Sequence, residues 1–167
     1  MIKQKIKLGE VAQILSGSTP DTTITEFWDG DIPWITPADL NDGHNWYVED
    51  TARTISEKGL NSCSTQLLPK GTVLLTSRAP IGKVAIAGIP ICTNQGFKNL
   101  ICDKNRLHNE YLYFFLRSRR NYLNSIGRGA TFKEISKAIV ANIQVPLPPL
   151  TEQKRIAAIL DKADAVR

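Results

Sequence analysis

Apolar residues along the chain follow two rhythms that change over near Asp103. Before it they come in short runs. Thr72 to Thr76 and Lys83 to Ala87 are β-rich and flank SRAPIG, a hairpin-like unit whose connection carries Arg78. ICTNQGFKNLIC adds two short strands around Thr93-Asn94-Gln95-Gly96. Ile32 to Ile35 reads as a strand broken by Pro33 and Pro37, which suggests a sheet edge. SGSTPDTT is turn chemistry, as is Asp42-Gly43. Ser56 is placed to cap one helical turn that ends near Gly59.

After Asp103 the period lengthens. Leu112, Phe115, Leu116, Tyr122 and Leu123 recur at helical spacing, with Arg117, Arg119 and Arg120 between them. Because they share an apolar stripe, the aromatics read as core rather than base-stacking platforms. Ile143, Val145 and Leu147 then alternate as in a strand, up to Pro148-Pro149. Thr151 is placed as the N-cap of a last helix, with Glu152 in its first turn. Ile156, Ile159, Leu160, Ala163 and Val166 give that helix an apolar face. It either packs on its own domain or begins a longer interhelical seam. The predicted fold is α/β of the α+β type: a twisted, mainly antiparallel sheet with peripheral helices, then the start of a C-terminal helix. No long alternation of helix and strand points to a parallel sheet.

Charge changes the picture more than composition does. The 167 residues are 42% hydrophobic and 22% charged, ordinary for a soluble globular chain. No apolar run is long enough to span a membrane, and MIKQKIKLGE lacks the apolar core of a secretory signal. Cys63, Cys92 and Cys102 are far apart and odd in number. They read as buried, reduced thiols of a cytoplasmic protein, not a metal set or a disulfide framework. The net charge of +5 is unevenly spread. From Lys98 to Lys133 there are eight Lys/Arg against two Asp/Glu, while the residues before that stretch hold eight against ten. Such a segment suits a polyanion; a solvated basic face is the alternative.

That segment ends in GRGATFKEI, Gly127 to Ile135. Thr131 and Glu134 have the T-x-x-E spacing of a capping box, predicting a short helix directly after a flexible cationic loop. Catalytic patterns are missing. There is no G-x-G-x-x-G, Walker loop or H-E-x-x-H, and His44 and His108 lie in polar surroundings without a cysteine partner. Binding is therefore favoured over catalysis, with no cofactor and no metal expected.

Three stretches together resemble a known family: IKLGEVAQILSGSTP, GTVLLTSRAPIGKVAI with TNQGFKNL, and GRGATFKEISKAIVANIQVPLPPLTEQKRIAAIL. The chain is similar to a target recognition domain from the specificity subunit of a type I restriction-modification system. The end motif carries most of this: a G-x-T loop, an I-S-K step, an I-x-V-P-L-P-P-L strand, and E-Q-K-R-I-A opening a helix. The resemblance implies that residues 1–149 read one half of a split duplex DNA target and that 150–167 begin a spacer helix. It also implies methyltransferase subunits that use S-adenosylmethionine, restriction subunits that use ATP, and a second recognition domain or half-subunit as partners. Catalysis would belong to those partners. A single recognition domain with a short helix is read as an excised piece of such a subunit, a natural half-subunit being the alternative.

In that light the opening loop becomes a candidate backbone clamp. Glycines allow close approach, helix-start amides attract phosphate, and Arg128, Lys133 and Thr131 add donors. Base reading is expected from SGSTPD, SRAP and TNQGFK, with Ser18, Thr19, Lys83 and Lys98 in or beside them. Arg78 suits guanine, and Asn94 or Gln95 suits adenine. Internal bracing of the loops is the alternative for these polar groups. Two alternatives to the whole reading are the recognition domain of a fused restriction-methylation enzyme and a protein-interaction adaptor.

Overall fold

The computed structural model describes residues 4–41 and 46–166. The Asp42-Gly43 turn and His44 lie outside the described residues. The chain opens with β1 (Lys5–Lys7), a single turn α1 (Leu8–Val11) and β2 (Ala12–Ser16). Next come β3 (Trp28–Ile35), β4 (Tyr47–Val48), β5 (Arg53–Ile55) and α2 (Glu57–Ser62). The hairpin is β6 (Val73–Thr76) and β7 (Val84–Ala87), followed by β8 (Cys92–Thr93) and β9 (Phe97–Cys102). The last part holds α3 (Asn109–Ser118), α4 (Arg120–Ile126), α5 (Lys137–Ala141), β10 (Gln144–Pro146) and α6 (Leu150–Ala165).

A five-stranded sheet in the order β2-β9-β6-β7-β4 forms the centre, antiparallel except where β4 joins β7. Both its faces are covered. Val73 and Leu75 of β6 turn to a core shared with Leu112, Leu116 and Leu123, while Leu74 turns to a second core with Phe97, Ala85 and Leu68. That is why VLLT is continuously apolar rather than alternating. The architecture is the mixed α+β fold expected, with antiparallel pairing dominant.

Several local expectations change. β3 is the middle strand of a three-stranded sheet β5-β3-β8, not an edge. Pro33 is tolerated because β8 pairs only with Trp34 and Ile35, beyond it. The helical stretch after Asp103 breaks at Arg119 (φ −102°, ψ 12°) into α3 and α4. Tyr111, Tyr113 and Phe114 are buried there, in keeping with a core role, whereas Tyr122 is half exposed. Ser56 does cap α2, accepting from the Gly59 amide at 3.1 Å, but Gly59 sits inside the helix. Thr151 does not cap α6; it stands in the first turn behind Pro149. Cys92 is buried, Cys63 and Cys102 half-buried, and burial pushes the Cys92 and Cys102 thiols up to about 11 and about 12. Both are therefore neutral near pH 7.

Candidate nucleic-acid interface

Antiparallel pairing fixes which loops become neighbours. Ser16 at the end of β2 lies opposite Lys98, Thr76 at the end of β6 opposite Phe97, and Leu75 opposite Val84. Residues 17–23, 77–83 and 94–96 therefore emerge at one end of the five-stranded sheet. The 128–135 segment joins them through the Ile135 amide, which donates to the Ser77 carbonyl at 3.1 Å. All the predicted loops meet at this end, although they lie far apart in sequence.

The first loop is held by tryptophans. Trp34 Nε1 donates to the Ser18 carbonyl at 3.0 Å, and Trp28 Nε1 to the Asp21 carbonyl at 3.1 Å. The Ser18 amide donates to the Thr93 carbonyl at 3.0 Å. Gly17 allows this approach, since a Cβ there would fall 2.1 Å from the Thr93 carbonyl oxygen. Hydrogen bonds from the Thr23 hydroxyl and amide hold the Asp21 carboxyl below the usual range. Arg53 lies 4.6 Å over the Trp34 ring, a cation near this loop that sequence reasoning missed. Nothing in its spacing marks it.

Thr19 and Gln95 meet directly: the Thr19 hydroxyl donates to Gln95 Oε1 at 2.5 Å. Gln95 is exposed, and its amide nitrogen has no hydrogen-bond partner among the described residues. Asn94 differs. Its Oδ1 accepts the Gly96 amide at 2.8 Å, so it braces its own turn. Lys83 and Lys98 also depart from the expected role. Lys83 Nζ donates to the Leu40 carbonyl at 3.0 Å and is half-buried. The Lys98 side chain is 8% exposed and pairs with Glu134 at 3.3 Å. Both ammonium groups satisfy internal acceptors, as burial requires.

The opening loop is not a helix cap. Arg128 and Glu134 exchange two backbone hydrogen bonds of 2.9 Å each, closing residues 128–134 into a tight antiparallel loop. Gly129 makes the turn at φ +134°, where a Cβ would lie 2.0 Å from the Phe132 carbonyl oxygen. The Glu134 carboxylate is taken by Lys98 and does not return to the Thr131 amide. The following helix, α5, begins later and is capped by Ser136, whose hydroxyl accepts the Ile139 amide at 3.1 Å. It has only five residues, too few to present a dipole to phosphate.

The loop nevertheless gathers predicted residues. Arg78, Thr131 and Lys133 line one groove of about 510 Å³ with Pro80, Asn124 and Phe132. Asn124 holds the facing wall by donating to the Ile81 carbonyl at 3.0 Å. Among the described residues the side chains of Arg78, Arg128 and Lys133 have no acidic partner. Phe132, 78% exposed, was missed; the signal was an aromatic inside a glycine-bracketed polar loop. Elsewhere the basic stretch is braced: Arg117 pairs with Asp164 at 2.5 Å, and Arg106 donates to the Glu10 carbonyl at 3.4 Å.

At the opposite side α6 packs through Gln153 and Ala157, both buried, with Ile156 against the core. Gln153 was also missed. It accepts the His108 amide and donates to the Arg106 and Pro148 carbonyls, each at 2.8 Å. Ile159, Leu160, Ala163 and Val166 remain exposed. No group of three or more His, Cys, Asp or Glu among the described residues is arranged to hold a metal.

A mixed sheet that gathers unpaired cations and polar loops at one end, with a helix leaving by another side, defines a class. The chain belongs to the type I restriction modification DNA specificity domain family, whose model matches residues 3–167. It is 44% identical over 160 residues to the type I restriction enzyme MjaIX specificity subunit of Methanocaldococcus jannaschii, covering 95% of this chain and 37% of that one. It is 31% identical to the EcoR124I/EcoR124II specificity subunit of Escherichia coli, covering 95% and 40%. The crystal structure of the HsdS subunit from Thermoanaerobacter tengcongensis superposes with a TM-score of 0.75 at 26% identity, covering 95% and 36%. The chain thus spans about two fifths of the length of the curated relatives it matches.

Proposed function

We propose that this chain reads one half of a split duplex DNA target within a type I restriction-modification complex. The observation that carries this is the meeting of Thr19, Gln95, Arg78, Arg128, Thr131 and Lys133 at one end of the sheet, with the three cations lacking acidic partners among the described residues. Phosphates bind Arg128 and Lys133 and set the register; base edges are read by side chains that stay free. Gln95 suits adenine and Arg78 suits guanine. Lys83, Lys98 and Asn94 support the loops from within. Residues 150–167 begin the spacer helix, whose exposed face meets a second recognition domain or half-subunit. Methyl transfer and cleavage belong to the methyltransferase and restriction subunits. Membership in this family and an end lined with cations both support a non-catalytic reader. No helix among the described residues is long and apolar enough to cross a membrane, and the complex works where the cell's DNA is, in the cytoplasm.

The test is selection of bound sites from random duplexes by the complex containing this chain, with and without Gln95→Ala. Wild type is expected to select a defined half-site. Gln95→Ala is expected to relax one base position by roughly 1–3 kcal/mol of discrimination. A uniform loss over all sequences would assign Gln95 to folding or backbone contact, and no selected site at all would reject the reading.

A further inference from the structure

Phe132 stands apart from the other exposed apolar side chains. Single exposed apolar residues are common and carry no meaning alone. Three features of its setting do.

The first is rigidity. The two Arg128–Glu134 backbone bonds, the Gly129 turn, the Glu134–Lys98 ion pair and the Ile135–Ser77 bond fix the loop on the sheet end. Within this frame Phe132 stands out at 78% exposure.

The second is charge. Lys133 follows it directly, Arg128 precedes it by one turn of loop, and Arg78 lies across the groove. Glu134, the acid nearest in sequence, is turned away into Lys98. An apolar projection among unpaired cations complements a partner that is anionic at its rim and apolar within. Stacked base pairs between two phosphate strands have that character.

The third is the groove itself. Ala79, Pro80 and Ile81 give it an apolar wall beside Phe132, while Thr131 supplies a neutral donor.

We propose that Phe132 is a wedge that enters the duplex between two base pairs, with Arg128 and Lys133 on the flanking phosphates. Apolar wedges of this kind partly unstack a step and kink the helix, and flexible pyrimidine–purine steps yield most readily. This rests on the DNA-reading role above and adds how the duplex is deformed. Specificity would then include a step that no polar side chain touches.

The experiment uses the chain alone at low salt, so that no partner acts on the DNA, with the half-site duplex selected as above. 2-Aminopurine is placed at each position in turn. Wild type is expected to brighten one position on binding. Phe132→Leu, still an apolar wedge, keeps that signal. Phe132→Ala is expected to lose it and to bind about fivefold to 150-fold more weakly, the range of one base–aromatic contact, with the salt slope unchanged. Because the side chain is exposed, the thermal midpoints of both variants should match wild type. A bound duplex that brightens nowhere, or that brightens equally with Phe132→Ala, overturns the wedge and leaves DNA reading intact. Phe132→Ala that binds duplex normally but fails to join the methyltransferase subunits overturns it in favour of a protein contact. Failure of wild type to bind any duplex overturns both readings.

Discussion

The loop end of the five-stranded sheet and the exposed face of α6 are both unfinished surfaces, but in opposite ways. At the loop end Arg78, Arg128 and Lys133 have no acidic partner among the described residues, and Phe132 projects at 78% exposure. On α6 Arg155 pairs with Glu152 at 2.7 Å and Asp164 with Arg117 of α3, while Ile159, Leu160 and Val166 are exposed. A helix face that leaves aliphatics in water suits another helix. A surface that leaves cations uncompensated suits a polyanion. What each surface leaves exposed, which charge counts along the sequence cannot register, separates the two.

The contrast is tested hardest by removing its cations. Changing Arg128 and Lys133 together to alanine should flatten the dependence of log affinity on log salt by about two units, near 0.9 for each phosphate that is no longer neutralised. It should weaken binding almost equally on every duplex sequence. An unchanged slope, measured by titration from roughly 50 to 200 mM salt, would erase the distinction between the two surfaces.

A smaller effect is expected where α6 is anchored. Gln153→Leu strands the His108 amide and two carbonyls in a buried site. Urea unfolding should show a loss of about 1–3 kcal/mol, with the DNA salt slope of the surviving folded protein untouched. A parallel loss of slope would mean that the two surfaces are coupled.

The smallest effect is predicted for Ile159→Ser with Leu160→Ser. Stability of the chain should stay within about 0.5 kcal/mol of wild type, because these side chains touch solvent. The same pair should weaken association once the helix is extended and the second recognition domain supplied. Undiminished association would show that the stripe is not the seam.

The strands were readable because their apolar runs and turn residues are local signals. Thr72 to Thr76 and Lys83 to Ala87 lie within a residue of β6 and β7. The failures came where a local signal lost to a distant partner. T-x-x-E at Thr131 and Glu134 has capping spacing, but Lys98, 36 positions away, holds the glutamate, and Ser136 takes the cap. Pro33 signals an edge, yet the register of β8 leaves it free of a second neighbour. Among the site residues, Thr19 and Gln95 belong to separate loops, and the structure joins them across 76 positions. Lys83 and Lys98 stand out by their charge, and only their surroundings reveal that it is used internally. Phe132 escapes notice because exposure is not written in residue type.

The pairing of β1 with β10 reaches beyond packing. Lys5 lies opposite Pro146 and Lys7 opposite Gln144, so the places where the polypeptide comes in and goes out are strand neighbours. Everything between Lys7 and Gln144 is, in effect, one long excursion clipped shut at its base, and α6 departs just beyond the clip. Insertions or deletions within the excursion change a closed loop, whose closure entropy rises only by about 0.6 kcal/mol for each doubling of length. Those confined to the loops at the far end of the sheet leave the α6 anchors, Arg106, His108 and Arg117, in place. A module built this way can exchange those loops for others as an interchangeable cassette, while the base from which α6 departs stays constant.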